Sequence, residues 1–387
     1  AVLFGWQMFV VGPELEEEAA LQQQIAAQEA AAAAEAAAEL NEVPKANLSG
    51  SASEATPGVA SSAEAPAVSA PRITIDAPLV SGSISLAGLR IDDVMLKAYR
   101  ETQDDDSDNI QFLLQTDSDR PFFAEFGWAS GDADQPMPTA DSVWTASSML
   151  LSPTTPVTLS WNNGKGLTFR RQLAINDDYM ITVDDSVESS LSTPLTLFPY
   201  GLVRRHGTPP TTGIYILHEG ALGVFDETLS EIDYDDMRDG DEGIDDIRPE
   251  SNGGWIGFTD KYWLAALVPD QSKRMNYAFK ALSGPGDRYQ VDYISSDGMV
   301  LAAGGAVTSQ TRLFAGAKKV SLLDGYAAEL GIKNFDLAID FGWFYFLTKP
   351  FFYAINWLNG LLGNFGLAVL AFTVGVKLVF YPLANKS

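Results

Sequence analysis

Few residues in this chain of 387 are equipped for covalent chemistry. Cysteine is absent, which removes disulfides, thiolate metal sites and a sulfur nucleophile. Only two histidines occur, His206 in Arg204-Arg205-His206-Gly207 and His218 in Leu217-His218-Glu219-Gly220, so a three-histidine zinc site is impossible. Either could serve as an acid–base group. The plainer reading is a loop histidine and a strand-end histidine, because no spacing around them converges on a mechanism. Carboxylates are abundant, 51 in all. In the acidic stretch Asp226–Glu250, residues Asp235, Asp239, Gly240 and Asp246 echo the first, fifth, sixth and twelfth positions of a calcium loop. Met237 stands where the third ligand should be, and the last ligand is Asp rather than Glu, so a charged surface loop is the default. Two carboxylates could process a sugar, but among so many no pair is singled out. There is no P-loop, dinucleotide fingerprint or H-E-x-x-H. No cofactor and no metal are expected.

The residue that stands out is a cation in an apolar setting. Phe365–Ala384, FGLAVLAFTVGVKLVFYPLA, contains one charge, Lys377. At about 1.5 Å per residue its length matches the ~30 Å bilayer core. An ammonium in hydrocarbon is costly, and its default reading is functional. The bland alternative is snorkelling, since Leu383 is only about 9 Å further along the helix. Thr373 lies one turn earlier on the same face. Two polar groups on one stripe favour a bundle interior or a watery groove over lipid.

The elements that would place this helix read clearly. Asp340–Gly363, DFGWFYFLTKPFFYAINWLNGLLG, is rich in aromatics and includes Trp343, Phe346 and Trp357. Pro350 should break or kink a helix, so the segment predicts two short amphipathic pieces lying on a membrane surface. Packing of such a helix on the preceding domain is the alternative. Of 42 aromatic residues, 14 fall between Phe335 and Tyr381, as a membrane interface would favour.

Upstream, period-2 runs such as Ser83–Leu86, Val157–Trp161, Tyr179–Val183 and Tyr289–Tyr293 alternate with Gly, Asn, Asp and Pro clusters. This is antiparallel β structure on the scale of one large sandwich. Before it, Glu14–Leu40 is Ala/Glu/Gln-rich and helix-prone without a heptad seam. Asn41–Pro71 has the composition of a linker. Ala1–Gly12 is apolar but too short to span a bilayer. It reads as a frayed terminus or buried strand, or as the last turns of a transmembrane helix.

The formal charge of −26 argues against nucleic-acid binding, whose footprint is basic. It is unevenly spread. Residues 1–71 hold ten carboxylates against Lys45, and the C-terminal segment from Phe335 is nearly neutral.

Taken in order, Asp340-Phe-Gly-Trp-Phe, Lys349-Pro350, Asn356-Trp357, Gly363-Asn364-Phe365-Gly366, Thr373, Lys377 and Tyr381-Pro382-Leu383 resemble the bacterial YidC membrane protein insertases. Leu3-Phe4-Gly5-Trp6-Gln7, Arg72–Tyr99, Phe122–Trp128 and Gly253–Pro269 are similar to earlier parts of that family. The resemblance implies a mainly β fold: a large periplasmic β-supersandwich followed by amphipathic interfacial helices and a transmembrane helix. It divides the chain into the end of an N-terminal transmembrane helix (1–12), the Ala/Glu-rich helix and flexible linker (13–71), the periplasmic domain (72–334), interfacial helices (335–363) and the first core transmembrane helix (364–387). It implies a protein of the bacterial inner membrane, multi-pass when complete, with 13–363 in the periplasm. Such a protein inserts and folds inner-membrane proteins, alone or beside the Sec translocon, through a cationic intramembrane groove and without bond chemistry. Lys377 stands where the family more often has Arg, and Thr373 matches a groove-lining Thr. Trp343, Phe346, Pro350 and Trp357 fall in the interfacial helix. The implied partners are nascent inner-membrane proteins, the Sec translocon with its accessory subunits, the lipid bilayer, and the ribosome through cytoplasmic parts beyond this sequence. Against the family the chain is expected to be truncated at both ends. Two competing readings are an anchored periplasmic β-sandwich that binds or processes carbohydrate, and a single-pass scaffold.

Overall fold

The computed structural model describes residues 70–384, apart from 105, 133, 212–216, 240–248, 283–285 and 343; in the last helix side chains are described through Tyr381. The expectations for Ala1–Gly12, for Glu14–Leu40 and for the linker up to 69 lie outside the described residues, as do Trp343, Gly240, Asp246 and Lys386.

Alternation drives the architecture. In the strand Leu167–Ile175, residues Leu167, Phe169, Leu173 and Ile175 are buried, while Thr168, Arg170 and Gln172 point outward, the period-2 pattern of a half-buried strand. The neighbouring strand Val157–Asn162 pairs with it through the expected turn. There the Asn162 side chain accepts the Gly164 N–H at 2.8 Å and that of Asn163 accepts the Leu167 N–H at 2.9 Å. Met180–Ser189 lies between Leu167–Ile175 and the late strand Ala306–Ala317, antiparallel to both. These strands belong to a nine-stranded sheet that faces an eleven-stranded one. In the larger sheet Leu195–His206 runs between Phe122–Ser130 and Arg288–Ser295. The mainly β sandwich is therefore observed.

One contiguous apolar core fills the space between the sheets, and polar ties cross it. Arg171 occupies an inward position of its strand and is paired in parallel with Asp185 on the next one, at 2.6 and 2.8 Å. Its second terminal nitrogen contact is the carbonyl of Phe126 in the opposite sheet, at 2.9 Å. Tyr293 and Thr311 join the two sheets by a 2.7 Å hydroxyl contact.

Helix α1 (Tyr234–Asp239) takes in the first part of the calcium-loop echo, whose remainder, 240–246, lies outside the described residues. It holds Asp235 in a regular turn and buries Tyr234 and Met237 in the core. Helix α2 (Val320–Leu330) follows the last strand and packs Leu323 and Tyr326 onto it. The Tyr326 hydroxyl accepts a 2.6 Å bond from Asn176. The apolar core continues beyond 334 through Phe335 and Ala338, in a short 3-10 turn. Two further helices close the description: α3 (Tyr345–Leu362) and α4 (Phe365–Ala384).

Candidate functional site: the C-terminal helical hairpin

The two-piece expectation for the interfacial segment is not met. α3 runs unbroken through Pro350. Pro350 has no N–H to donate to the Phe346 carbonyl, and α3 continues without that one bond. At its far end Gly363 takes a left-handed conformation, φ 65°, and donates its N–H to the Asn359 carbonyl. This is a C-cap that glycine fills without strain. Asn364 then caps α4, its side chain accepting the Leu367 N–H at 3.1 Å. Phe351 and Phe372 meet edge to face at 5.0 Å between the two helices.

The surface of this hairpin is its defining property. No residue of α3 is buried. Phe346 is 73% exposed and Trp357 70%. Along α4 only Ala368 is buried among the described side chains, whereas Leu370, Val374, Leu378, Val379 and Phe380 stand exposed on all sides. A contiguous apolar surface of this kind needs a non-aqueous partner. No helix among the described residues is long and apolar enough to cross a membrane; α4 as a whole has 20 residues, and its last side chains lie outside the description.

Lys377 is exposed and carries the lone charge of α4. Thr373 is exposed on the same stripe, one turn away, and its hydroxyl donates back to the Val369 carbonyl at 2.8 Å, a bond available to threonine within a helix. The structure thus places Lys377 and Thr373 together, and Phe346, Pro350 and Trp357 on the other arm of the hairpin. Trp343 lies outside the described residues.

A second group of residues was not legible as a unit. Phe335 sits fully buried against Trp255 and Phe314, and so roots the 3-10 turn that carries Asp336. The Lys349 ammonium reaches back from α3 to Asp336 at 2.6 Å, to Asp324 of α2 at 3.0 Å and to the Tyr345 hydroxyl at 3.3 Å. Tyr345 donates to the same Asp336 oxygen at 2.8 Å. The Lys349 and Asp336 side chains keep only 18% and 11% of their surface. Burial alone would push the Asp336 carboxyl up, but the bonds from Lys349 and Tyr345 outweigh it and hold the group below its ordinary value. Burial would lower Lys349; its carboxylate and tyrosine partners raise it instead. The sequence signal was a lysine interrupting an aromatic run, with two aspartates upstream among many.

Both histidines have neighbours within the β domain. His218 faces Asp233 at 3.0 Å through Nδ1, and Nε2 contacts the Ala221 carbonyl at 2.9 Å. His206 ends a central strand beside the Phe123 ring. Among the described residues no cluster of three His, Asp or Glu could hold a metal ion.

Comparison with known proteins agrees with the geometry. The profile of the YidC periplasmic domain matches residues 72–354. A membrane protein insertase YidC of Granulibacter bethesdensis is 48% identical over 82% of this chain and 55% of its own length. One of Methylobacterium nodulans is 45% identical over 100% of this chain and 64% of its own. The chain thus spans less than two thirds of the length of these relatives. A galactose mutarotase-like protein from Lactobacillus casei superimposes with a TM-score of 0.41 at 10% identity, covering 63% of this chain and 99% of that protein, a likeness too slight to carry an argument. With its periplasmic domain matched from Arg72 into α3, this chain belongs to the YidC family of membrane protein insertases.

Proposed function

We propose that this chain carries the periplasmic domain and the first core transmembrane helix of an insertase that places proteins into the bacterial inner membrane. The observation that carries the reading is α4: apolar and exposed all round, with Lys377 as its lone charge. In this reading α4 crosses the bilayer, α3 lies in the interface with Phe346 and Trp357 in the headgroup region, and residues 13–363 are periplasmic. Lys377 and Thr373 line a hydrophilic groove completed by helices beyond this sequence. The ammonium attracts acidic extramembrane stretches of a nascent membrane protein and lowers the desolvation penalty of their entry, after which apolar segments slide into lipid. No bond is made or broken, so the protein is not an enzyme and uses no cofactor. Its partners are nascent inner-membrane proteins, the bilayer, the ribosome and the Sec translocon with its accessory subunits, beside which or without which it works.

The test is Lys377→Leu in the full-length protein, with insertion of a substrate whose translocated segment is acidic. Loss of insertion, with Lys377→Arg active, supports the groove. Normal rates for Lys377→Leu would remove Lys377 from the mechanism.

A further inference from the structure

Apolar contacts on α3 are few: none of its residues is buried, and from the preceding segment Phe341 meets the Tyr345 and Phe352 rings. Its charged hold on the β domain is concentrated at one residue. Lys349 is the only charged residue of α3, and its ammonium has three donors. They meet Asp324, Asp336 and Tyr345, which lie on three separate elements. The two carboxylates are rigidly mounted. Asp324 follows Leu323, and Asp336 follows Phe335, and both of those neighbours are fully buried in the core of the β domain. An exposed ion pair between two flexible side chains fixes little. Here one partly buried cation is gripped from two anchored positions, and Tyr345 closes the third side by bonding both Lys349 and Asp336.

We infer that Lys349 is a positioning residue: a clamp that sets the angle at which the helical hairpin leaves the β domain, so that domain and hairpin turn as one body. The clamp itself rests on the geometry. Its use, which is to hold Lys377 at a fixed depth and heading relative to the periplasmic domain, rests on the insertase reading above. The β domain then acts as a rigid outrigger for the hairpin, tied to α3 by the Lys349 ammonium and the Tyr345–Asp336 bond beside it.

The chain contains no cysteine, so spin labels can be introduced without removing native thiols. Val300→Cys on the β domain and Leu361→Cys near the end of α3 are both well exposed. The distance distribution between them is measured by pulsed electron spin resonance on this chain in lipid nanodiscs. The expected result is a narrow distribution for the parent, at least doubled in width by Lys349→Met and restored by Lys349→Arg, with the β-sheet circular dichroism and its melting unchanged. A rescue by arginine distinguishes a charge clamp from mere packing. Asp324→Asn removes one grip and is expected to give intermediate width, which keeps the test sound if Lys349→Met alters the domain. A Lys349→Met or Asp324→Asn distribution as narrow as the parent's overturns the clamp, as does a broad parent distribution. Narrow parent and broad variant distributions alongside normal insertion by Lys377→Leu would leave the clamp standing and remove the insertase role of Lys377.

Discussion

Lys318 gives the sharpest quantitative test of the fold. It follows the last strand, is largely buried, and donates to the Thr259 hydroxyl at 2.7 Å. Burial draws its ammonium down from 10.5 to about 8, although Asp260, Glu219, Asp340 and Glu231 pull the other way. At neutral pH the folded and unfolded chains both hold this proton, and the folded state bears the whole desolvation penalty. From pH 8 upward the folded state releases a proton that the unfolded state keeps, so stability rises with pH until about 10.5, where both are neutral. A gap of roughly 2.5 units at about 1.36 kcal/mol each amounts to ~3 kcal/mol. Lys318→Met removes the titrating group. Urea unfolding followed by tryptophan fluorescence, in steps from pH 7 to 10.5, should show the parent gaining ~3 kcal/mol on the variant. Other lysines and tyrosines titrate in both proteins and cancel in the difference, and the constant offset from the lost Thr259 bond does not affect the slope. A flat difference, or one that shrinks for the parent, would refute the burial of a charged Lys318.

Other outcomes are equally open to measurement. Arg171→Met strands the Asp185 carboxylate between the sheets and should destabilise by about 3–5 kcal/mol in chemical denaturation, whereas adding Asp185→Leu should recover most of the loss; a double variant as weak as the single one would contradict this. Gly316→Ala would drive a methyl into the Tyr179 ring, an overpacking worth about 1–3 kcal/mol of stability. Gly325→Ala in α2 meets open space and should stabilise by about 0.5–1 kcal/mol, so thermal melts of the two should move in opposite directions. Because Asp336 is held below its ordinary value of 3.8, its contribution to the clamp persists at neutral pH and is lost only as pH falls through that depressed value. The label distances across α3 should accordingly stay constant from pH 7 to 5.

The strands were legible because alternation is local. Val157–Trp161 and Tyr289–Tyr293 announce their faces within five residues, and both are found in strands. The bounds of α4 were equally plain, since a long run with a single charge needs no knowledge of its neighbours. Ion pairs are another matter. Arg171 sits between Phe169 and Leu173 on an inward stripe, which marks it as a buried cation, but nothing local selects Asp185 from 51 acids. Lys349 likewise finds partners 13 and 25 residues away, across a turn whose path is set by Phe335 entering the core. The expected break at Pro350 did not occur: the bond it forgoes is one among those of an 18-residue helix, and the remaining turns carry α3 through it. Family resemblance, carried by short motifs around Lys377, supplied what spacing could not.

The position of Ala306–Ala317 in the nine-stranded sheet bears on the order of events during synthesis. Met180–Ser189 has its second neighbour only when this last strand arrives. Until then the sheet has an open seam in its interior, with buried positions such as Ile181 and Val183 facing no partner on that side. Pairings so distant in sequence close slowly. The strand that shuts the seam is made just before α2, the turn at Asp336 and the hairpin. The docking points for Lys349, Asp324 and Asp336, are therefore made at almost the same moment as Lys349 itself, after the strand on which their mounting depends.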